Sequence, residues 1–290
     1  MNWRSSAAFR FVAGGATLEG RCFGPAPSEA ATIVFLHEGL GSMGLWRDFP
    51  EKVSRATGLG VFAFSRRGYG GSDPVELPRP LDYMKREAVD VLPDVLNVIG
   101  VRRAALLGHS DGASIAALYL GNVQDLRIRG LILLAPHFFT EPQGLASIAA
   151  AKRAFEAGDL RARLARRHQD VDGAFWGWNR AWLDPGFATW NIEEAIDYIR
   201  VPVLAIQGRE DQYGTLAQIE ALEERLYAPL EKLVLDDCRH APFIDKPVET
   251  LAAIADFVAR LERIDKAEVA LSATPALLAR KMGEQGRATS

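Results

Sequence analysis

Cysteine is almost missing from this chain: there are two in 290 residues, Cys22 and Cys238, far apart and in no C-x-x-C pair. That excludes a disulfide framework and leaves no pattern for a structural zinc site. An excess of one charge is missing too. The 34 Lys and Arg are matched by 37 Asp and Glu, for a net charge of −3. No basic stripe exists to track phosphates, so nucleic acid is not an expected partner. The most basic stretch, RARLARR (161–167), reads as a solvated helix face. No run approaches the roughly 18 consecutive apolar residues of a membrane span. Residues 1–15 carry arginines at 4 and 10 and no uninterrupted apolar stretch, unlike a secretory signal. A cytoplasmic protein is the expectation. There is no internal repeat. GLGSMG (39–44) lacks the G-K-[ST] ending of a phosphate loop, and neither a metal nor an organic cofactor is expected.

What the chain does have is apolar material, 48% against 24% charged, enough for a large core. TIVFLH (32–37), GVFAFS (60–65), AALLGHS (104–110), GLILLAP (130–136), VPVLAIQG (201–208) and EKLVLDD (231–237) have the length and near-continuous apolarity of strands buried on both faces. Helix-length segments separate them, at about 46–57, 82–99, 111–121, 215–227 and 247–262. This alternation predicts an α/β fold, a mostly parallel twisted sheet with helices on both faces. The less apolar 8–23 is expected as an antiparallel edge hairpin. The interval between GLILLAP and VPVLAIQG is far longer than one crossover helix needs. It is read as an inserted helical cap, 138–199, splitting a core of 1–137 and 200–263. Residues 264–290 are read as a helical or flexible tail with a mobile end, packed on the body or on a partner, so a homodimer is among the expected states.

The chemistry centres on Gly108-His109-Ser110-Asp111-Gly112. In G-x-S-x-G the glycines let a strand turn sharply into a helix with the serine at the strained apex. A strand precedes this motif and a helix follows it. His109 and Asp111 cannot complete a relay with Ser110, because adjacent side chains diverge at such a tip. The partners must come from elsewhere.

The chain resembles the α/β-hydrolase superfamily over nearly its whole length. In that fold the order is nucleophile, acid, histidine. The resemblance implies Asp211 as the acid, in AIQGREDQYG after the post-cap strand, with Glu210 as its rival. It implies His240 as the base, in LVLDDCRHAPF, where Asp237 stands in place of the family's usual Gly. The oxyanion donors are then the backbone N–H of Asp111 and one from LHEGLGSMGLW (36–46), Gly39 or Leu40, with Glu38 where the family has Gly. SRRGYGGS (65–72) is similar to the family's R-G-x-G-x-S turn; it is read as structural, with Arg66 and Arg67 held in ion pairs. His37 is read as orienting a loop and His168 as lying on the cap surface. His137 is placed at the pocket or in the core. Trp176, Trp178, Trp182 and Trp190 either line an apolar pocket or hold the cap down. The expected activity is hydrolysis of a small-molecule carboxylic ester or thioester with an apolar or aromatic acyl group, through an acyl-enzyme on Ser110. Lactone and amide substrates, a C–C bond hydrolase acting on vinylogous diketones, and a non-catalytic binding protein stay open.

Overall fold

Strands form where apolar residues are uninterrupted, and the order in which they pair decides where the serine is presented. The computed structural model describes residues 2–3 and 5–287, with side-chain surroundings through residue 268. The chain starts with β1 (Phe9–Ala13) and β2 (Ala16–Phe23), an antiparallel hairpin turning on Gly14 and Gly15. Both glycines have positive φ, 56° and 70°, as a two-residue hairpin turn requires. Next come β3 (Thr32–Leu36), α1 (Phe49–Thr57) and β4 (Gly60–Ser65). The crossover after β4 holds α2 (Tyr83–Arg86), a π-turn at Glu87–Val91 and α3 (Leu92–Val98). β5 (Ala104–His109), α4 (Asp111–Asn122) and β6 (Ile128–Leu134) follow. Then come α5 (Pro142–Ala157), α6 (Leu160–Leu164) and α7 (Val171–Trp182). The chain continues through β7 (Val203–Gly208), α8 (Ala217–Arg225), β8 (Leu230–Leu235), α9 (Pro242–Asp245) and α10 (Pro247–Arg287).

The eight strands form one sheet in the order β1-β2-β4-β3-β5-β6-β7-β8. The β1–β2 and β2–β4 pairings are antiparallel and the rest are parallel. The expected edge hairpin is there, and β5 is central. Alternate strand residues feed two cores. Val34, Phe62, Leu106 and Leu133 pack with α3 and α4 on one face, and Ile33, Val61, Leu107 and Ile132 pack with α1 and α10 on the other. This double burial is why β3, β4, β5 and β7 read as unbroken apolar runs. β8 departs from that expectation. It is an edge strand and mostly half-buried, and its charged residues face outward, Glu231 to Arg260 and Lys232 to Glu223. Charges of this kind discourage pairing with another chain at an open edge.

The long interval between β6 and β7 is helical, and its two ends are joined by a bridge between Phe139 and Asn191. The Trp-rich stretch is itself a helix, α7, whose N-terminus is capped by the Asp170 carboxylate accepting from the Gly173 N–H at 2.8 Å. α10 runs without a break through 263, so the tail is continuous with the last core helix. Asp265 ties it to the sheet by accepting from Arg103 and Arg129. The expected mobile end lies partly outside the described residues, at 288–290. No helix among the described residues is long and apolar enough to cross a membrane.

Leu106 is fully buried on the central strand. Leu106→Ala is expected to cost about 3 kcal/mol of stability, read as a lower urea midpoint with an unchanged slope.

Candidate active site

Ser110 joins β5 directly to α4, with φ 52° and ψ −120°. A side chain at positive φ costs of order 1–3 kcal/mol unless its surroundings enforce it. Here they do. A Cβ on Gly108 would lie 2.3 Å from the Gly112 carbonyl oxygen, and one on Gly112 would lie 2.0 Å from that of Leu36. The Ser110 N–H donates to the Leu134 carbonyl at 3.0 Å, and its carbonyl accepts from the Ala113 N–H at 2.8 Å.

β7 and β8 deliver the other two groups. His240 Nδ1 lies 2.9 and 2.8 Å from the two Asp211 carboxylate oxygens. Asp211 is buried and also accepts from Tyr213 N–H at 2.8 Å and Gln207 Nε2 at 2.8 Å. Burial pushes its pKa up, but His240 and the Tyr213 N–H outweigh that, and the carboxyl is held below the usual range. Glu210 points elsewhere and accepts from the Cys238 N–H at 2.8 Å. Asp237 has φ 49°, in the left-handed region that favours glycine and that Asp tolerates better than most residues. No hydrogen bond joins Ser110 Oγ to His240 Nε2 among the described residues, but both residues line one cavity of about 270 Å³. A larger cavity of about 550 Å³ lies at the far end of the strands, by Leu126 and Tyr198, away from these three residues.

The loop after β3 forms the opposite wall. The Glu38 carbonyl faces three donors: His37 Nδ1 at 2.7 Å, Arg66 Nη2 at 3.0 Å and the Gly41 N–H at 3.0 Å. In a trans peptide the N–H points opposite to the carbonyl. The Gly39 N–H is therefore turned away from these donors, and Gly39 lines the cavity. A Cβ there would sit 2.2 Å from Trp178 Nε1. Neither Gly39, Leu40 nor Asp111 donates its N–H to a protein acceptor among the described residues. Asp111 is the first residue of α4, where an N–H has no partner within the helix.

The Asp111 carboxylate, which has no partner in sequence, lies beneath α7. It accepts from Tyr83 OH at 2.5 Å and Trp182 Nε1 at 3.2 Å. Burial raises its pKa, against the pull of Arg66 and Tyr83. Of the four residues named for the pocket wall, His137, Trp178 and Trp182 line the cavity. Trp176 does not. Trp178 and Trp182 are one helical turn apart on the cavity face of α7, while Trp176 lies on another face against Phe155 and Phe175, with Arg180 over its ring. Trp190 stacks on Phe187.

Two further readings are corrected. Arg66 and Arg67 form no carboxylate ion pair among the described residues. Arg66 is fully buried, bonded to His37 and the Glu38 carbonyl and lying over the Tyr69 ring, and Arg67 donates to the Pro74 carbonyl. His168 is not on the surface. Its Nδ1 accepts from the Gly70 N–H at 3.0 Å and its Nε2 lies 3.1 Å from the Leu40 carbonyl, so it joins the segment between β6 and β7 to the β3 loop. No motif pointed to Tyr83 or His168, since neither stands near the serine in sequence.

Residues 33–254 match the profile described as the alpha/beta hydrolase family. The chain is 26% identical over 222 residues to a bifunctional esterase/perhydrolase of Acinetobacter calcoaceticus, covering 64% of this chain and 76% of that protein. It is 27% identical over 106 residues to a proline iminopeptidase of Lactobacillus delbrueckii subsp. lactis, covering 37% of this chain and 36% of that one. A serine hydrolase from the polyaromatic-hydrocarbon-degrading bacterium Cycloclasticus zankles superposes with TM-score 0.70 at 16% identity, covering 87% of this chain and 97% of that one. A thermophilic esterase from Thermogutta terrifontis gives 0.67 at 17% identity, covering 88% and 99%. At these identities the structural likeness speaks for the fold alone.

Burial holds the His168 pKa below its ordinary value. The unfolded chain therefore takes up a proton below about pH 6.5 that the folded chain refuses, and folding weakens as pH falls through that range. His168→Gln keeps a donor and an acceptor but cannot titrate. As pH falls below about 6.5 it should lose less stability than the wild type, measured by urea unfolding at each pH.

Proposed function

The chain belongs to the alpha/beta hydrolase family, and from that premise we propose that it is a serine hydrolase cleaving a small carboxylic ester or thioester through an acyl-enzyme on Ser110. The observation that carries this reading is a buried Asp211 bonded to His240 Nδ1 across a cavity from a serine at a strained strand-to-helix turn.

With Nδ1–H donated to Asp211, His240 Nε2 is the unprotonated nitrogen. Ser110 Oγ attacks the carbonyl carbon and passes its proton to Nε2, while Asp211 holds the tautomer and stabilises the imidazolium. The oxyanion is received by the N–H groups of Asp111 and Gly39. Gly39 is preferred to Leu40 because the anchored Glu38 carbonyl fixes the orientation of its peptide. Each such donor contributes about 3 kcal/mol to the barrier reduction. The intermediate collapses, and the departing alcohol or thiol takes the proton from His240. Water then gives its proton to His240 and attacks the acyl carbon. The second collapse releases the acid and returns the proton to Ser110.

We read 138–199 as a cap over a core of 1–137 and 200–263. In support, Gln143 and Ser147 of α5 bond to the carbonyls of Asp211 and Gln212, and α7 supplies Trp178 and Trp182 to the cavity. The cavity is small for a ligand site, where about 300–1,000 Å³ is usual. Leu40, Ile148, Trp178 and Trp182 give it apolar walls, and its two carboxylates are taken up by neighbouring side chains, Glu38 by His109 and Asp111 by Tyr83 and Trp182. A neutral, compact, apolar acyl group suits this lining. The alternative, C–C hydrolysis of a vinylogous diketone, calls for basic side chains near the scissile carbonyl, and no Lys or Arg lines the cavity among the described residues. Two free, buried cysteines suit a reducing cytoplasmic setting.

Ser110→Ala should lower kcat on a short activated ester by at least about a thousandfold. Its thermal midpoint should stay near the wild type's, read by circular dichroism. Turnover by this variant at the wild-type rate would contradict the assignment. A panel of esters, thioesters and diketones run on both proteins ranks the substrate classes.

A further inference from the structure

Glu38 and His109 are left unused by this mechanism, yet both stand on the cavity wall. His109 ends β5 and is 2% exposed. Its Nδ1 lies 3.4 Å from a Glu38 carboxylate oxygen, and its Nε2 lies 2.7 Å from the main-chain carbonyl of His240. Both partners are pure acceptors. A neutral imidazole has one N–H and satisfies one of them; the imidazolium has two and satisfies both. We propose that His109 is held as an imidazolium between Glu38 and the His240 carbonyl, a charge pair that positions the base relative to the oxyanion loop. This inference rests on the role assigned above to His240 and Gly39.

The surroundings agree. Burial disfavours a charged His109, but the Glu38 carboxylate, the His240 carbonyl and Asp211 outweigh it and raise its pKa. Burial pushes Glu38 up as well, and His109 pulls it down to about 2. Two imidazoles also stand nearby: His240, with ring centroids 5.0 Å away, and His137, whose pKa burial lowers to about 3. Trp46 and Phe243 close the remaining sides. Glu38 is fixed at both ends. Its carboxylate lies over Gly41, where a Cβ would sit 2.4 Å from it, and its own carbonyl orients the Gly39 peptide.

One charge pair therefore spans three chain segments: the loop after β3, the end of β5 and the loop after β8. These carry the oxyanion donor, the nucleophile and the base. The pair also neutralises a carboxylate that would otherwise stand unbalanced beside the developing oxyanion. His109 acts through His240 and Glu38, so it is a positioning residue.

The test uses the full chain and two replacements that divide the ring's functions. In His109→Gln the side-chain amide reaches as far as Nε2 and can still donate to the His240 carbonyl. In His109→Asn it reaches only as far as Nδ1 and loses that bond. His109→Asn, which loses both the charge and the bond to the His240 carbonyl, should lower kcat by about ten- to a hundredfold with KM within about twofold, and His109→Gln, which keeps that bond but leaves Glu38 unbalanced, should recover only part of the loss. Histidine 15N NMR near neutral pH should find both His109 nitrogens protonated in the wild type and one in Glu38→Gln. A singly protonated His109 in the wild type overturns the proposal. So does wild-type kcat in His109→Asn, or an equal loss in both replacements. If the wild type neither turns over esters nor reacts at Ser110, the hydrolase reading fails, and the NMR experiment still decides the charge pair.

Discussion

A serine held at positive φ between two glycines is the constraint that the rest of the molecule serves. Gly112 packs against the Leu36 carbonyl and Gly108 against Gly112 itself, so β3, β5 and α4 meet with no side chain between them. That close approach makes the loop after β3 a neighbour of the serine. The same economy recurs across the sheet, where a Cβ on Gly208 would lie 2.2 Å from the Cys238 carbonyl. The loops after β7 and β8 can therefore touch, and Asp211 reaches His240. Parallel strand order does the rest, bringing the ends of β3, β5, β7 and β8 to one end of the sheet, where such folds place their ligands.

The second organising feature is how charge is managed in a buried place. Asp111 sits next to the serine and would oppose an oxyanion, but Tyr83 and Trp182 engage its carboxylate from the other side, leaving its N–H for the cavity. Arg66 lies fully buried, its guanidinium fixing the Glu38 carbonyl. His37 stays neutral through burial, which lets its Nε2 accept from the Arg66 N–H at 3.0 Å. In a low-dielectric setting each of these groups would be costly alone. Held together, they fix the geometry of the loop.

Much of this was legible in the sequence. The apolar runs marked the strands, because burial on both sheet faces demands continuous apolarity, and G-x-S-x-G marked the turn, because its backbone demands glycine. β8 reads as fully buried but is mostly half-buried, since an edge position is a property of topology and not of local composition. Trp176 parts from Trp178 and Trp182 because the helical phase of α7, which the Trp-rich stretch does not by itself reveal, turns it to another face. Arg66 was expected in an ion pair, the usual fate of a buried guanidinium; its actual partners, a histidine and a carbonyl, come together only in the fold. The same holds for Tyr83 and His168, each joined to the site by contacts across 28 residues or more.

The central claim is that the acyl group passes through Ser110. The direct measurement is to quench a reaction with a slowly deacylating activated ester, take the intact mass, and map the modified peptide. The account predicts one acyl group per chain, located on Ser110 and absent after prior treatment with a fluorophosphonate. An acyl group on another residue, or steady turnover with no acylated protein and no effect of the fluorophosphonate, would contradict it.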